Sequence, residues 1–353
     1  MDIYEELKLY FGIRIVILLS IFCLTSCLEE ITFEAGTDEP QLVVEATVSN
    51  EFESYKVRLS TLFELNGVGS NTLGTNAQVT IREIGGSDVL LSETSPGFYE
   101  TFPGEIIGEI GKSYQLLIQL ANGESYESTI EEILPPISIK NGEASYSEER
   151  FEQQNGTFRT VISHDITLEI DNEDQDHFYI VDGSGWAEVD IGYGDCFADA
   201  PVGPAKCWSF RDQIITNSLS IGTNSGLSGE DYFIKTTKIP FDAKGRYVAM
   251  VRLLSMSSSY FSFWSSITDQ LNRPGGLFDR PFAPIVGNIR NTNDGLPALG
   301  YFQVYSISEQ IVCFDRSNVR ASVSFPISIP CPVLCTEVWA PATFDDVTED
   351  YCE

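Results

Sequence analysis

The amino-acid sequence predicts a mainly β protein, in which an N-terminal β-sandwich is followed by a second β-rich domain with one amphipathic helix. Three observations support this fold class. Short segments of alternating apolar and polar residues recur at intervals of about 8–12 residues through residues 41–130. Turn-forming dipeptides separate these segments. One stretch, at about 257–271, carries its apolar residues at helical spacing instead.

The composition limits the size and the partners of the protein. With about 150 residues per domain as a guide, 353 residues correspond to two domains. Hydrophobic residues make up 42% of the chain, which is enough to form packed cores. The chain has 21 Lys and Arg residues against 52 Asp and Glu residues, a formal charge of −31. This balance argues against nucleic acid as a partner, because phosphates need Lys and Arg for neutralisation.

The N-terminal residues predict a signal peptide over 1–26. Lys8 and Arg14 accompany an apolar run at 13–24. That run is shorter than the roughly 20 residues of a membrane-spanning helix. A short apolar run next to positive charge is typical of a secretory signal.

The end of this run predicts a lipid anchor. It reads Leu24-Thr25-Ser26-Cys27, which resembles a bacterial lipobox, so Cys27 is the predicted lipidation site. Acyl chains such as palmitate on this cysteine would hold the protein in a lipid bilayer. The alternative is an ordinary signal peptide that contains a cysteine. The acidic residues 27–39 are expected to form a tether to the first domain.

The first domain is predicted over 40–136 as a β-sandwich. Asn122-Gly123 stands between two β-rich segments and is a strong hairpin signal. Pro135-Pro136 ends the unit. The predicted strands are 42–48, 55–59, 77–83, 89–91, 96–99, 114–120 and 125–130.

The second domain, 137–353, is predicted to be β-rich and to contain the helix. Tyr260, Trp264, Ile267 and Leu271 fall at i, i+4, i+7 and i+11, and serines stand at the helix start as N-caps. The predicted strands are 161–170, 177–181, 234–239, 246–254 and 299–305.

Cysteine usage predicts disulfides in this second domain. Cys23 lies in the signal peptide and Cys27 carries lipid, which leaves an even number. An even number in an exported protein indicates disulfide bonds. Cys196 and Cys207 stand apart from the others and are the predicted pair. The remaining pairing is open among Cys313, Cys331, Cys335 and Cys352.

A zinc site is the alternative to disulfide bonds. Cys331-x3-Cys335 has a spacing that zinc tolerates, but an oxidising compartment and the lack of a nearby histidine favour disulfides. The acidic turn at 171–176 offers hard oxygen ligands for calcium, and it lacks the glycine of an EF-hand loop. A solvated turn is therefore expected there. No metal and no cofactor is predicted.

Four aromatic residues are candidates for a partner or ligand surface. Trp186 and Trp208 lie in or beside the loop-rich region 183–230, and a tryptophan ring can stack on a sugar. Trp208 directly follows Cys207, so packing against a disulfide is the alternative. Tyr260 and Phe263 lie on the predicted helix, whose apolar arc is wide. That helix either presents these rings to a partner or buries them in its own core.

No catalytic residue is predicted. A Ser-His-Asp triad needs a base, and only His164 and His177 are available. The serines at Gly183-Ser184-Gly185 and Ser225-Gly226 do not fit a nucleophile elbow. Pairs of carboxylates occur by chance among 52 acidic residues, so they indicate no glycosidase.

Several short motifs follow one another along the chain: Leu42-Val43-Val44-Glu45, Ala77-Gln78-Val79-Thr80-Ile81, Gly97-Phe98-Tyr99, Gly111-Lys112-Ser113-Tyr114-Gln115-Leu116, Gly123-Glu124-Ser125-Tyr126-Glu127-Ser128, the acidic turn before Phe178-Tyr179, the helix at 260–271, Gly287-Asn288-Ile289 and Leu299-Gly300-Tyr301-Phe302. Their order resembles the Bacteroidota lipoproteins of the family catalogued as domain of unknown function 4249. The His177-Phe178-Tyr179 segment departs from it, since the family more often has two tyrosines there. The resemblance implies a gene beside a TonB-dependent outer-membrane receptor and a transthyretin-like first domain, and it supplies no catalytic residues.

Together these observations predict an outer-membrane lipoprotein that faces the cell surface. Glu29 and Glu30, just after Cys27, resemble a surface-export signal. The expected function is that of a non-enzymatic accessory of a TonB-dependent receptor, by ligand capture or as a lid. A structural or adhesive surface protein is the second hypothesis, and an exported hydrolase is the third.

Overall fold

The computed structural model describes residues 41–65, 68–152, 156–171, 176–190, 206–211, 220–225, 232–242, 244–271 and 285–319. Those residues are mostly in β-strands arranged in several sheets, which confirms the predicted all-β fold class. Within the described ranges, no helix is both long enough and apolar enough to cross a membrane. The predicted signal peptide, Cys27 and the tether lie outside these ranges.

The strands of the first half follow the predicted order. Predicted segment 42–48 is β1, and segment 114–120 is β8. The bounds are β1 Gln41–Ser49, β2 Lys56–Leu65, β3 Val68–Leu73, β4 Gln78–Glu83, β5 Asp88–Leu90, β6 Ser92–Ser95, β7 Phe98–Glu100, β8 Ser113–Gln119, β9 Ser125–Ser128 and β10 Glu131–Glu132.

The second half contains longer strands and the helix. The predicted helix is confirmed as α1, and the predicted strand 299–305 is the beginning of the much longer β19. The bounds are β11 Ile139–Glu152, β12 Phe158–Ile170, β13 Phe178–Asp190, β14 Lys206–Arg211, β15 Ser220–Thr223, β16 Tyr232–Pro240, β17 Arg246–Met256, α1 Ser258–Leu271, β18 Ile289–Asn291 and β19 Leu299–Asp315.

Three sheets organise these strands. A ten-stranded sheet has the order β14-β13-β17-β19-β1-β2-β7-β6, with β15 beside β13 and β3 beside β2. A six-stranded sheet has the order β18-β9-β8-β4-β5, with β10 on β8, and a three-stranded sheet has the order β11-β12-β16. The first part of β19 runs parallel to β1, from Leu299 opposite Val43 to Tyr305 opposite Ser49. The rest of β19, Ser306–Asp315, runs antiparallel to β17.

Two large clusters of buried side chains form the main cores, and a third, smaller cluster contains Tyr260 of the helix and Tyr301 of β19. The first contains the alternate residues of β1, β4 and β8, so that strands of two sheets share it. It also contains Ile289, Phe302 and Val304 from late in the chain. The second runs from Ile137 to Val312 and is built mainly from β12, β13 and β17. The two-domain boundary at residue 136 stays a prediction, and β19 contributes to both cores.

Two turns show the local chemistry behind these elements. At the predicted hairpin, Gly123 has a φ of +93°, and the Asn122 side chain accepts a hydrogen bond from the Glu124 amide at 3.0 Å. The Asn-Gly prediction is therefore confirmed. In β19, Gly300 has a φ of +91°, and a Cβ there would lie 2.0 Å from the Val44 carbonyl oxygen. Only glycine allows this close approach of β19 to β1.

Candidate partner-binding surface

Two loops next to the first core expose four large apolar side chains, which we call the loop patch. Phe52, in the loop between β1 and β2, is 71% exposed. The loop between β7 and β8 contributes Phe102 at 70%, Ile107 at 41% and Ile110 at 49%. The two loops touch, because a Cβ at Gly104 would lie 2.3 Å from the Phe52 ring. Grouped apolar residues in the solvent mark interaction sites, whereas single ones are ordinary.

The buried Tyr55 holds the two loops together. Its hydroxyl donates a hydrogen bond to the Ser49 carbonyl oxygen and accepts one from the Gly108 amide at 3.0 Å. The Tyr55 amide donates to Thr101 Oγ1 at 3.0 Å, and the Thr101 amide donates to the Tyr55 carbonyl oxygen at 3.1 Å. These bonds fix the loops before any partner arrives, which reduces the entropy lost on binding.

Four glutamates lie in the same two loops as the loop patch. Glu51 and Glu53 flank Phe52 in the sequence, and Glu105 and Glu109 lie in the second loop. Burial raises the pKa of Glu51, Arg252 opposes that shift, and the nearby Glu53 adds to it. A surface with an apolar centre and an acidic rim fits a partner with an apolar centre and a Lys- or Arg-rich rim.

Arg252 connects this rim to the ten-stranded sheet. It lies on β17, and its guanidinium is 3.4 Å from Glu51 Oε2 and 2.9 Å from Asp182 Oδ2 on β13. Arg252 is therefore shared by two carboxylates and does not neutralise both, so the rim keeps a net negative charge. Lys112 at the end of the second loop is likewise shared, at 2.7 Å from Glu109 and 2.9 Å from Glu83.

The two tryptophan candidates lie on neighbouring strands at the edge of the ten-stranded sheet. Trp186, on β13, is half-buried, and its ring centroid is 4.6 Å from that of Phe210 on β14. Phe210 is 47% exposed, so this aromatic pair reaches the solvent. The backbone of Trp208 lies on β14 opposite Glu188, and its side chain is outside the described residues.

The aromatic residues of the helix pack against Tyr301 on β19, a strand of the ten-stranded sheet. Tyr260 is 6% exposed, and its ring is 4.8 Å from that of Tyr301 on β19. Phe263 is half-buried at 5.1 Å from the same ring. Tyr260 is therefore a core residue, and its prediction as a partner surface is wrong. Leu271, assigned to the apolar stripe, is 78% exposed because the packed surface of the helix ends before it.

A buried carboxylate anchors the start of this helix. Ser257 caps the helix by accepting a hydrogen bond from the Tyr260 amide at 3.3 Å, which confirms the predicted serine cap. The Ser257 hydroxyl donates to Glu131 on β10 at 3.2 Å. Glu131 also accepts bonds from Asn288 at 3.1 Å and from Tyr301 at 3.3 Å. These hydrogen bonds join the helix to strands of two sheets.

The two histidines lie in different settings. His164, on β12, is 5% exposed among aromatic rings, and burial, followed by the nearby Arg316, lowers its pKa. His177 precedes β13, and its backbone amide donates to Asn224.

The metal and disulfide predictions are only partly within the described residues. Those residues contain no group of three or more His, Cys, Asp or Glu side chains able to hold a metal ion. Most of the acidic turn after Asp171 lies outside them. Cys313, on β19, is disulfide-bonded. The predicted Cys196–Cys207 pair stays a prediction, since Cys196 and the Cys207 side chain are outside the described residues, as are Cys331, Cys335 and Cys352.

The sequence carries one signal for the loop patch. Phe52 stands between two glutamates in the segment that separates predicted strands 42–48 and 55–59, and Phe102 stands beside Pro103. The alternation of apolar and polar residues along a strand does not explain large aromatic residues in short polar loops. They are therefore either buried under the loop or exposed for a partner, and only the structure distinguishes these outcomes.

Comparison with known proteins gives one match. A family model described as "Domain of unknown function (DUF4249)" matches residues 28–311. The match includes both loops of the patch, the helix and most of β19. No curated protein matches the chain.

Proposed function

We propose that this chain, which belongs to the DUF4249 family, is a lipid-anchored outer-membrane protein that acts as a non-enzymatic accessory of a TonB-dependent receptor. Cys27 carries the anchor, and residues 27–39 tether the folded part to the membrane. The receptor association rests on the family resemblance of the sequence motifs. The observation that carries the proposal is the loop patch, which offers a preformed protein-binding surface.

In this proposal the loop patch contacts the receptor. Its four exposed apolar side chains supply the desolvated centre that protein interfaces need, and the glutamates form a polar rim. The network around Tyr55 holds the loops in place, so binding costs little ordering entropy. The tether allows the anchored protein to swing over the receptor mouth, as a lid or as a carrier of captured ligand.

The Trp186–Phe210 pair is the proposed ligand contact. It lies on the β13–β14 edge, away in the sequence from both loops of the patch. An exposed aromatic ring can stack on a sugar or on another flat ligand group. This division lets one surface hold the receptor while the other holds the ligand.

The test is co-purification from the native membrane. An affinity-tagged chain is extracted in mild detergent, and the captured proteins are quantified by mass spectrometry. We expect one TonB-dependent receptor at a near-equal amount. Phe52→Ser and Phe102→Ser should each reduce its recovery about tenfold, because each removes an apolar contact from the interface centre.

Phe233→Ser is the matched control. Phe233 lies on β16, is 60% exposed and belongs to neither loop, so its loss should leave receptor recovery unchanged. Recovery of the tagged chain alone, where other receptor–lipoprotein pairs survive extraction, would contradict the accessory function and favour a free-standing structural or adhesive protein. Undiminished recovery with both patch variants would refute the role of the loop patch.

The anchor is tested separately. Cys27→Ala removes the acceptor for the acyl chains, so the protein should move from the membrane fraction to the soluble fraction after cell lysis. Ser26→Thr, which keeps the cysteine, is the control and should stay with the membrane. A Cys27→Ala chain that remains in the membrane fraction would show that something other than this cysteine holds it there.

A further inference from the structure

One face of the ten-stranded sheet points away from the second core, and we call it the outer sheet face. Along β17, Tyr247 and Ala249 belong to the second core. Val248 stands between them, so its side chain points to the outer sheet face, because side chains alternate along a strand. The register places Trp186 of β13 on one side of Val248 and Cys313 of β19 on the other. Val248 is nevertheless only 1% exposed.

The apolar surface continues from Val248 along the strands. Met250 of β17 lies opposite Ile311 of β19 on the same face, and both are half-buried. The helix α1 packs on this face near Phe178, whose ring is 5.0 Å from that of Phe261. Phe178 and Trp186 are eight residues apart on β13, which is about 26 Å at 3.3 Å per residue. The helix therefore lies too far along the strand to cover Val248.

A segment outside the described ranges reaches this face at Cys313. Cys313 is disulfide-bonded, and the side chains of all other cysteines lie outside the described residues. Trp186, Arg246 and Asp315 point to the same face, and each has a contact beyond those with the described residues. These contacts and the burial of Val248 indicate one covered region around Cys313.

The sheet order excludes Cys207 as the partner of Cys313. The backbone of Cys207 lies on β14, three strands away from β19. Three strand spacings of about 4.8 Å separate the two strands by about 14 Å. A disulfide needs Cα atoms within about 7 Å of each other. Apart from the cysteines of the predicted signal peptide and anchor, the remaining partners are Cys196, Cys331, Cys335 and Cys352.

The C-terminal segment has the composition that suits an apolar face. Residues 321–336 contain no charged residue, although charged residues make up 21% of the chain. The segment begins close to the face, because the described chain ends at Val319, six residues after Cys313. Cys196, in contrast, directly follows Asp195. The apolar residues and cysteines of the segment are Ala321, Val323, Phe325, Ile327, Ile329, Cys331, Val333, Leu334 and Cys335.

We propose that residues 321–336 lie on the outer sheet face, held there by a disulfide bond from Cys313 to Cys331 or Cys335. The apolar side chains of the segment bury Val248, Met250 and Ile311, and removal of this surface from water favours the contact. The disulfide adds stability by closing a short loop between β19 and the segment. The chain thus occupies this apolar surface itself, so the surface is closed to other proteins. This interface is separate from the loop patch and does not depend on the proposed function.

The first experiment maps the disulfide in the native full chain without reduction. Trypsin and a glutamate-specific protease together cleave after Glu309, Arg316, Arg320 and Glu337. Cys313 is then in peptide 310–316, and Cys331 and Cys335 are in peptide 321–337. We expect mass spectrometry to find these two peptides joined. A bond from peptide 310–316 to Cys196, directly to Cys352, or to a second copy of the chain would overturn the proposal.

The second experiment tests the contact with the sheet and leaves every cysteine in place. Ile311→Glu puts a charge under the segment, so chymotrypsin should cleave after Phe325 about tenfold faster than in the native chain, because the segment leaves the face more often. Ile84→Glu is the matched control, since Ile84 is 42% exposed and lies outside the ten-stranded sheet, directly after β4. It should leave the cleavage rate unchanged. Equal rates in the native chain and Ile311→Glu would overturn the contact, and the disulfide map decides the proposal if Ile311→Glu fails to fold.

Discussion

Removing the hydroxyl group of Tyr55, which hydrogen-bonds to both loops of the loop patch, should loosen both loops. Tyr55→Phe keeps the buried ring, so it opens no cavity. It deletes the hydrogen bonds of the hydroxyl group, whose single hydrogen is shared between the Ser49 and Glu51 carbonyl oxygens and whose oxygen accepts from the Gly108 amide. Each is worth about 0.5–1.5 kcal/mol. The Gly108 amide keeps a bond to the Ser49 carbonyl oxygen at 3.0 Å, which limits the loss. We therefore expect the free energy of unfolding to fall by about 1–2 kcal/mol.

Urea unfolding measures this loss as a lower midpoint at an unchanged slope. Hydrogen exchange adds a local readout, because the Gly108 amide should exchange faster while the amides of β4 and β8 do not. Tyr146→Phe is the control, since Tyr146 is 48% exposed and its hydroxyl donates a hydrogen bond to the exposed Glu148. Equal midpoints for Tyr55→Phe and Tyr146→Phe, with unchanged Gly108 exchange, would refute the reasoning.

Two other predictions follow from the interior. Gly300→Ala forces a Cβ to within 2.0 Å of the Val44 carbonyl oxygen at a φ of +91°, so urea unfolding should show a loss of about 3 kcal/mol or more. Gly295→Ala, with a φ of +76° and open space around it, should lose only about 1–2 kcal/mol, and equal losses would contradict the clash. Burial raises the pKa of Tyr247, Tyr301 and Tyr305 to about 12, from about 10 in the unfolded chain. Between these values the folded state retains protons that the unfolded state has lost, so the urea midpoint should fall as pH rises above about 10. A midpoint that stays constant from pH 9 to about 11.5 would contradict this.

Much of the fold could be predicted because its strands have one buried face. In β1 and β8 burial alternates residue by residue, and the sequence shows the same alternation of apolar and polar residues. The helix was predictable for a similar reason, from its 3.6-residue period and its serine cap. Such patterns report which face of a strand is buried, but they do not report its neighbours in a sheet. The parallel pairing of β1 with β19 therefore had no signal in the sequence.

The candidate sites were less predictable than the fold. Tyr260 and Phe52 are both aromatic residues beside polar ones, yet Tyr260 is buried and Phe52 is 71% exposed. Periodicity cannot separate these cases, because exposure depends on which other segment covers the residue. Arg316 is the clearest example, since an arginine between Asp315 and Ser317 suggests a surface turn. It is buried because β19 ends beneath the loop at Gly245. The carbonyl oxygen of Gly245 accepts a hydrogen bond from the Arg316 backbone amide at 2.9 Å.

The pairing of β1 with β19 imposes an order of events on the nascent chain. Val43 is synthesised 256 residues before Leu299, its partner across the two strands. Until then one edge of β1 has open backbone groups, and the first core lacks Phe302 and Val304. Such distant contacts slow folding and prolong the exposure of apolar surface. A premature stop codon anywhere before residue 299 should therefore prevent β1 and the first core from reaching their folded structure. The truncated product should aggregate or be degraded.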